Sequence, residues 1–187
     1  MQVYTCIFSV DGSSAIIGEK NVYWPRGSVP LNYAGQYCLS GGEKNANETA
    51  EAGALREYNE EIGVTPIAVN NADTIYFPLG TDPQAAIYSC TYLEVDFSEL
   101  NNIKNSFNPD TVRDKEFKTI NVISIAELVN VFTTIRPIAW TASNALVRRG
   151  RSVATKSNPV TDDERNAVLH RDWFIEIARY LNEHYFS

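Results

Sequence analysis

Residues 42–64 concentrate charge at fixed intervals: Gly42, then Glu48, then the run Arg56-Glu57-Tyr58-Asn59-Glu60-Glu61-Ile62-Gly63-Val64. Glu57, Glu60 and Glu61 stand at i, i+3 and i+4, so on a helix their carboxylates share a face and repel. Arg56 is the single basic residue in the second half of that helix. The cluster is either a solvated acidic face or a set of ligands for a cation. Oxygen ligands of this kind suit a hard divalent ion such as Mg²⁺ or Mn²⁺. A zinc site would draw on histidine or cysteine, and His170 and His184 lie far away near the C-terminus.

The elements that must present these side chains follow from local chemistry. Thr49 is a good N-cap and Gly63 a good residue just past a C-terminus, which predicts a helix over 50–62. At about 100° per residue, Ala54, Leu55, Tyr58 and Ile62 form a stripe for the core, and the three glutamates fill a separate sector. Upstream, 2–10 alternates as a strand does, Asp11-Gly12 reads as a turn, and 15–17 as a second short strand. A loop rich in Pro, Gly and Asn, "EKNVYWPRGSVPLNYAGQY", then runs into "YCLSGG".

Downstream, 64–69, 73–77 and 85–97 are strand-like, and the polar stretch "DFSELNNIKNSFNPDTVRDKE" reads as a surface excursion. Residues 117–123 form a further strand, followed by a helix from Ser124. Beyond Ile135 the pattern turns helical. Pro137 suits a first helical position, "RRGRSVATKSNP" reads as a basic loop, and Thr161 caps a last helix whose apolar face is Phe174, Ile177, Ala178, Leu181 and Tyr185. These elements indicate an α/β (α+β) fold, an α/β/α sandwich with a mixed sheet. They divide into a domain over 1–135 and a helical extension, 136–187, packed on the same domain. That extension could cap a substrate cleft, form a homodimer surface or enlarge the core.

The whole chain narrows the function classes. Its 187 residues fit one domain with a full core, and a net charge of −7 disfavours a nucleic-acid groove, which needs excess Lys and Arg. No run approaches the roughly 18 apolar residues that span a bilayer, and no basic leader precedes an apolar stretch, so a cytoplasmic protein without membrane contact is expected. Cys6, Cys38 and Cys90 are widely spaced in strand-like sequence and read as free thiols.

The charged stretch resembles the Nudix box, G-x5-E-x7-R-E-U-x-E-E-x-G-U, at every specified position, with Tyr58 as the bulky residue. The approach "GQYCLSGG" is similar to the frequent G-x-W-x-L-P-G-G entry, with Tyr37 for Trp and Ser40 for Pro. The resemblance implies a Nudix fold and hydrolysis of a nucleoside diphosphate linked to another moiety. It further implies Mg²⁺ or Mn²⁺ held by Glu57, Glu60 and Glu61 with the carbonyl of Gly41, and a Glu48–Arg56 ion pair that orients the carboxylates. The proton of the attacking water would go to Glu57, or to Glu116 in the later loop "VRDKEF", itself a candidate ligand. Asp114 stands beside it.

Trp24, Tyr33 and Tyr23 could stack on a base, and Arg26 could meet a phosphate. Pro78, in "YFPLG", lies close to where members that hydrolyse ADP-ribose carry a proline. The long N-terminal sheet extension of many such enzymes has no counterpart here. ADP-ribose or another nucleotide sugar, a dinucleotide and a nucleoside triphosphate are therefore the substrate candidates. A Nudix module that binds or senses nucleotides with little catalysis is the alternative.

Overall fold

A strand with period-two alternation commonly buries one face, but β1 (Gln2–Ser9) is buried almost throughout. It therefore needs a layer of helices on each side. The computed structural model, which describes residues 1–22, 31, 35–133, 147–149, 152–154 and 171–185, has both layers. The sheet between them comprises β1, β2 (Ser14–Lys20), β3 (Tyr37–Cys38), β4 (Ser40–Glu43), β5 (Asn71–Phe77), β6 (Tyr88–Val95) and β7 (Phe117–Ser124). It is mixed, because β1 runs parallel to β6 and antiparallel to β2 and β4.

One irregularity in this sheet makes the site. β1 meets β2 at Phe8 opposite Ala15, whereas Gln2 to Thr5 pair with β4. Farther along, β2 pairs with β3, Gly18 opposite Cys38. β1 and β2 thus diverge, and the short segment 37–43 fills the opening by joining one strand and then the other.

Helix α1 (Ala50–Glu61) covers one face. Thr5 Oγ1 donates to the Ala54 carbonyl at 3.0 Å, and Val3 packs with Ala50 and Ala54. α2 (Phe97–Ser106) lies beside it: Glu99 accepts from the Ile67 N–H, just beyond the end of α1, at 2.8 Å. The opposite face carries α3 (Ile125–Thr133) and α4 (Arg171–Tyr185). Phe174 meets Tyr4 edge-on with centroids 5.1 Å apart, Tyr185 lies 4.9 Å from Phe8, and Phe132 packs on Phe174. Phe174, Ile177, Ala178 and Leu181 are buried, as the spacing predicts, and Tyr185 packs against the core. Cys6, Cys38 and Cys90 are buried free thiols. Among the described residues no helix is long and apolar enough to cross a membrane.

Several sequence expectations change. Residues 64–69 form no strand: Pro66 lacks an N–H for a ladder, Ile67 is 83% exposed, and pairing starts only at Asn71. β6 starts at Tyr88, after a turn. The polar stretch after it is not a surface excursion, because α2 anchors there through Leu100 and Ile103, one turn apart and fully buried. In the stretch expected to be helical and then loop, Val147–Arg149 and Ser152–Ala154 pair as strands β8 and β9. Pro137, Thr161 and the acids after it lie outside the described residues.

Gly18 is set by packing, since a methyl group there would overlap the Phe117 ring. Gly18→Ala is expected to destabilise the fold by about 1–3 kcal/mol through overpacking, read as a lower urea midpoint with an unchanged slope.

Candidate active site

Local chemistry fixes α1 before any charge is considered. The Thr49 hydroxyl accepts from the Ala52 N–H at 3.1 Å, and Gly63, at φ 69°, ends the helix in the left-handed conformation glycine tolerates. Ala54, Tyr58 and Ile62 are buried, and the Tyr58 hydroxyl finds the Val64 carbonyl at 2.7 Å. Leu55, expected in the same stripe, is 38% exposed at its margin.

On the charged side Arg56 is the hub. Its Nε and Nη2 donate to the two oxygens of Glu48 at 3.1 and 2.9 Å, a two-pronged pair. Nη1 reaches Glu57 at 2.7 Å and Glu60 at 3.2 Å, and Nη2 also reaches the Glu43 carbonyl at 3.0 Å. The guanidinium holds the Glu48 carboxyl down to about 2. Gly53 contributes room: a methyl group there would stand 2.8 Å from Glu48 Oε1. A residue unfavourable to the helix thus leaves space for the brace.

Glu61 lies deeper than its neighbours, 2% exposed. Oε1 takes Lys20 Nζ at 3.0 Å and Oε2 takes the Gly41 N–H at 2.9 Å. Lys20, at the end of β2 and 5% exposed, also hydrogen-bonds Glu116 and sits 4.9 Å from the Phe117 ring centroid. Burial works to lower the Lys20 pKa, but Glu61 and the other acids around it outweigh burial and hold the ammonium above its ordinary value. Burial likewise pushes Glu61 up, against the pull of Lys20. Sequence reasoning missed Lys20; the available signal was one cation closing the apolar strand "SAIIGEK".

The loop before β7 completes the ring. Asp114 N–H donates to the Glu60 carbonyl at 2.8 Å, and Asn21 N–H to the Glu116 carbonyl at 2.7 Å, so the loop bridges α1 and the end of β2. It brings Arg113 onto Glu60 and Glu116 onto Lys20. Burial, and then the charge of Glu60, raise the Asp114 carboxyl. Burial also raises Glu57, with Arg56 opposing.

A cavity of about 300 Å³ opens where β1 and β2 diverge, lined by Gln2, Tyr4, Lys20, Leu39, Gly41, Gly42, Glu43, Glu57 and Glu116. Gly42 gives Glu57 its place, because a Cβ there would lie 2.5 Å from the Glu57 carboxylate. Of the expected site residues the cavity gathers Glu57, Glu116 and Gly41, while Glu60 and Glu61 stand outside its lining, joined to it through Arg56 and Lys20. Trp24, Arg26, Tyr33 and Tyr23 lie outside the described residues. The segment bearing them leaves from β2 and returns to β3, its ends tied by Gly35 N–H to the Asn21 carbonyl at 3.2 Å and Lys20 N–H to the Gln36 carbonyl at 2.9 Å.

The donor set is all oxygen and carries more negative than positive charge, which fits a hard divalent ion. Among the described residues no three acidic, histidine or cysteine side chains converge, as they stand, on one metal position. Each of the four carboxylates of Glu57, Glu60, Glu61 and Glu116 is turned toward Arg56, Arg113 or Lys20.

A family model described as the NUDIX domain matches residues 13–144. No curated protein sequence matches the chain significantly. Similar solved structures include a mutT/nudix family protein from Listeria innocua, 16% identical over 96% of this chain and 95% of that one, TM-score 0.44. Others are a MutT protein from Methanosarcina mazei, 15% identical over 97% and 94%, TM-score 0.44, and the NUDIX domain of Shewanella oneidensis NrtR complexed with ADP ribose, 13% identical over 74% and 77%, TM-score 0.43.

The Lys20–Glu61 pair is testable apart from activity. Lys20→Met leaves Glu61 buried without its cation and is expected to cost about 3–5 kcal/mol in urea unfolding. Adding Glu61→Gln recovers a large part of that loss, a coupling that independent sites would not show.

Proposed function

This chain belongs to the Nudix hydrolase family, and from that premise we propose that it hydrolyses the pyrophosphate linkage of a nucleoside diphosphate joined to a second moiety, with Mg²⁺ or Mn²⁺. The observation that supports the reading best is the cavity at the divergence of β1 and β2. It sets the Glu57 and Glu116 carboxylates and the Gly41-Gly42 backbone around one space, beside a helix braced by Arg56 and Glu48. A divalent ion held by Glu57, Glu60, Glu61, Glu116 and the Gly41 carbonyl would neutralise the pyrophosphate and acidify an attacking water.

The chain's own groups divide the remaining work. Arg56 keeps Glu57 and Glu60 together on one side of α1. Glu61 ties that helix to Gly41 and Lys20 and so fixes the height of the Gly41-Gly42 backbone over the cavity. Glu57 and Glu116 both line the space, and the proton from the attacking water is proposed to go to one of them. Trp24 and Tyr33 are proposed to hold the base and Arg26 a phosphate, from the segment whose ends flank the cavity. ADP-ribose or another nucleotide sugar, a dinucleotide or a nucleoside triphosphate would each present the required pyrophosphate.

Incubation with a panel of these nucleotides and Mg²⁺ or Mn²⁺, with products separated by chromatography, tests the reading. Cleavage at a phosphorus–oxygen bond of the pyrophosphate is expected. Tight binding without turnover would favour a nucleotide-sensing module instead. Glu57→Gln and Glu60→Gln are each expected to lower kcat by about a hundredfold or more with circular dichroism unchanged. Near-normal turnover by either variant would sink the assignment.

A further inference from the structure

Among the described residues three cations cover the carboxylates of the site, and they are held with very different firmness. Arg56 makes five hydrogen bonds, to Glu48, Glu57, Glu60 and the Glu43 carbonyl. Lys20 is 5% exposed, enclosed by Glu61, Glu116 and the Phe117 ring. Arg113 is 72% exposed, and among the described residues its guanidinium hydrogen-bonds Glu60 alone.

The backbone around Arg113 is nevertheless fixed. Asp114 N–H is bound to the Glu60 carbonyl at 2.8 Å, and Val112 is buried, its side chain facing Gly63 at the end of α1. A long side chain on an anchored main chain can leave Glu60 without disturbing the loop. Exposed ion pairs of this kind are weak, whereas a divalent ion binds a carboxylate strongly and repels a neighbouring guanidinium. A guanidinium released from Glu60, which shares Arg56 Nη1 with the cavity-lining Glu57, can offer a phosphate two parallel donors.

We propose that Arg113 is a displaceable counter-ion. It holds Glu60 until a divalent ion takes that carboxylate, and its freed guanidinium then binds a phosphate of the anionic substrate. The inference rests on the metal-dependent reading above and adds a residue to it, one that opposes metal binding and favours substrate binding.

Mn²⁺ titration followed by the electron paramagnetic resonance of the free ion tests the first half. Arg113→Ala is expected to bind Mn²⁺ about fivefold more tightly than wild type. The second half is read at saturating Mn²⁺ with α,β-methylene-ADP, a diphosphate that cannot be cleaved between its phosphorus atoms. Its affinity is expected to fall about fivefold in Arg113→Ala and to recover in part in Arg113→Lys. Lys115→Ala, two residues away on the same loop, serves as the control for net charge and should leave both affinities unchanged. Opposite signs for the two ligands at Arg113 alone support the proposal. Unchanged or weaker Mn²⁺ binding, unchanged analogue binding, or equal shifts in Lys115→Ala overturn it while leaving the hydrolase reading intact. Wild-type protein that binds no Mn²⁺ would overturn both.

Discussion

The buried pair of Lys20 and Glu61 is the constraint on which the site depends. A carboxylate 2% exposed and an ammonium 5% exposed would each be costly alone, and each is tolerated because the other is 3.0 Å away. Their elements are thereby tied. Glu61 belongs to the last turn of α1 and Lys20 to the last residue of β2, and the second oxygen of Glu61 reaches the Gly41 N–H on β4. β2 leaves β1 after a single register pair, so the opening is spanned by the short β3–β4 segment, and this tie locks α1 onto it.

Around that anchor the site carries an unbalanced set of charges. Glu48, Glu57, Glu60, Glu61, Asp114 and Glu116 face Lys20, Arg56 and Arg113. The fold tolerates the excess because Arg56 bridges three of the acids and because Glu57, Glu60 and Glu116 retain some contact with water. The glycines set the distances: Gly42 admits Glu57, and Gly53 admits Glu48. A helix chosen for stability alone would place alanine at 53 and lose that room.

What the sequence disclosed was whatever depended on neighbours along the chain. Thr49 and Gly63 end α1 where local rules place them, and the Glu48–Arg56 pair spans only two turns. The apolar face of α4 was legible because its side chains recur at 3 and 4 residues. α2 was not, because Leu100 and Ile103 are its only fully buried side chains in a polar stretch, too few to show a period. Lys20 was the larger omission. Its partners lie 41 and 96 residues away, and only the packing of α1 on the sheet and the pairing of β2 with β7 bring them within reach. The strand expected at 64–69 failed for a related reason: alternation makes a strand only where a neighbour offers a ladder, and β6 pairs no farther than Asn71.

The grouping of residues 20, 61 and 116 also bears on how such a chain can diverge. Losing the cation leaves the Glu61 carboxylate buried without its counter-charge, and losing Glu61 leaves the buried ammonium with the partly exposed Glu116 alone. Neutral drift at position 20 or 61 alone is therefore closed, because a change at either leaves the other without its buried counter-charge. Positions 20 and 61 should thus change together, while position 116 has more freedom.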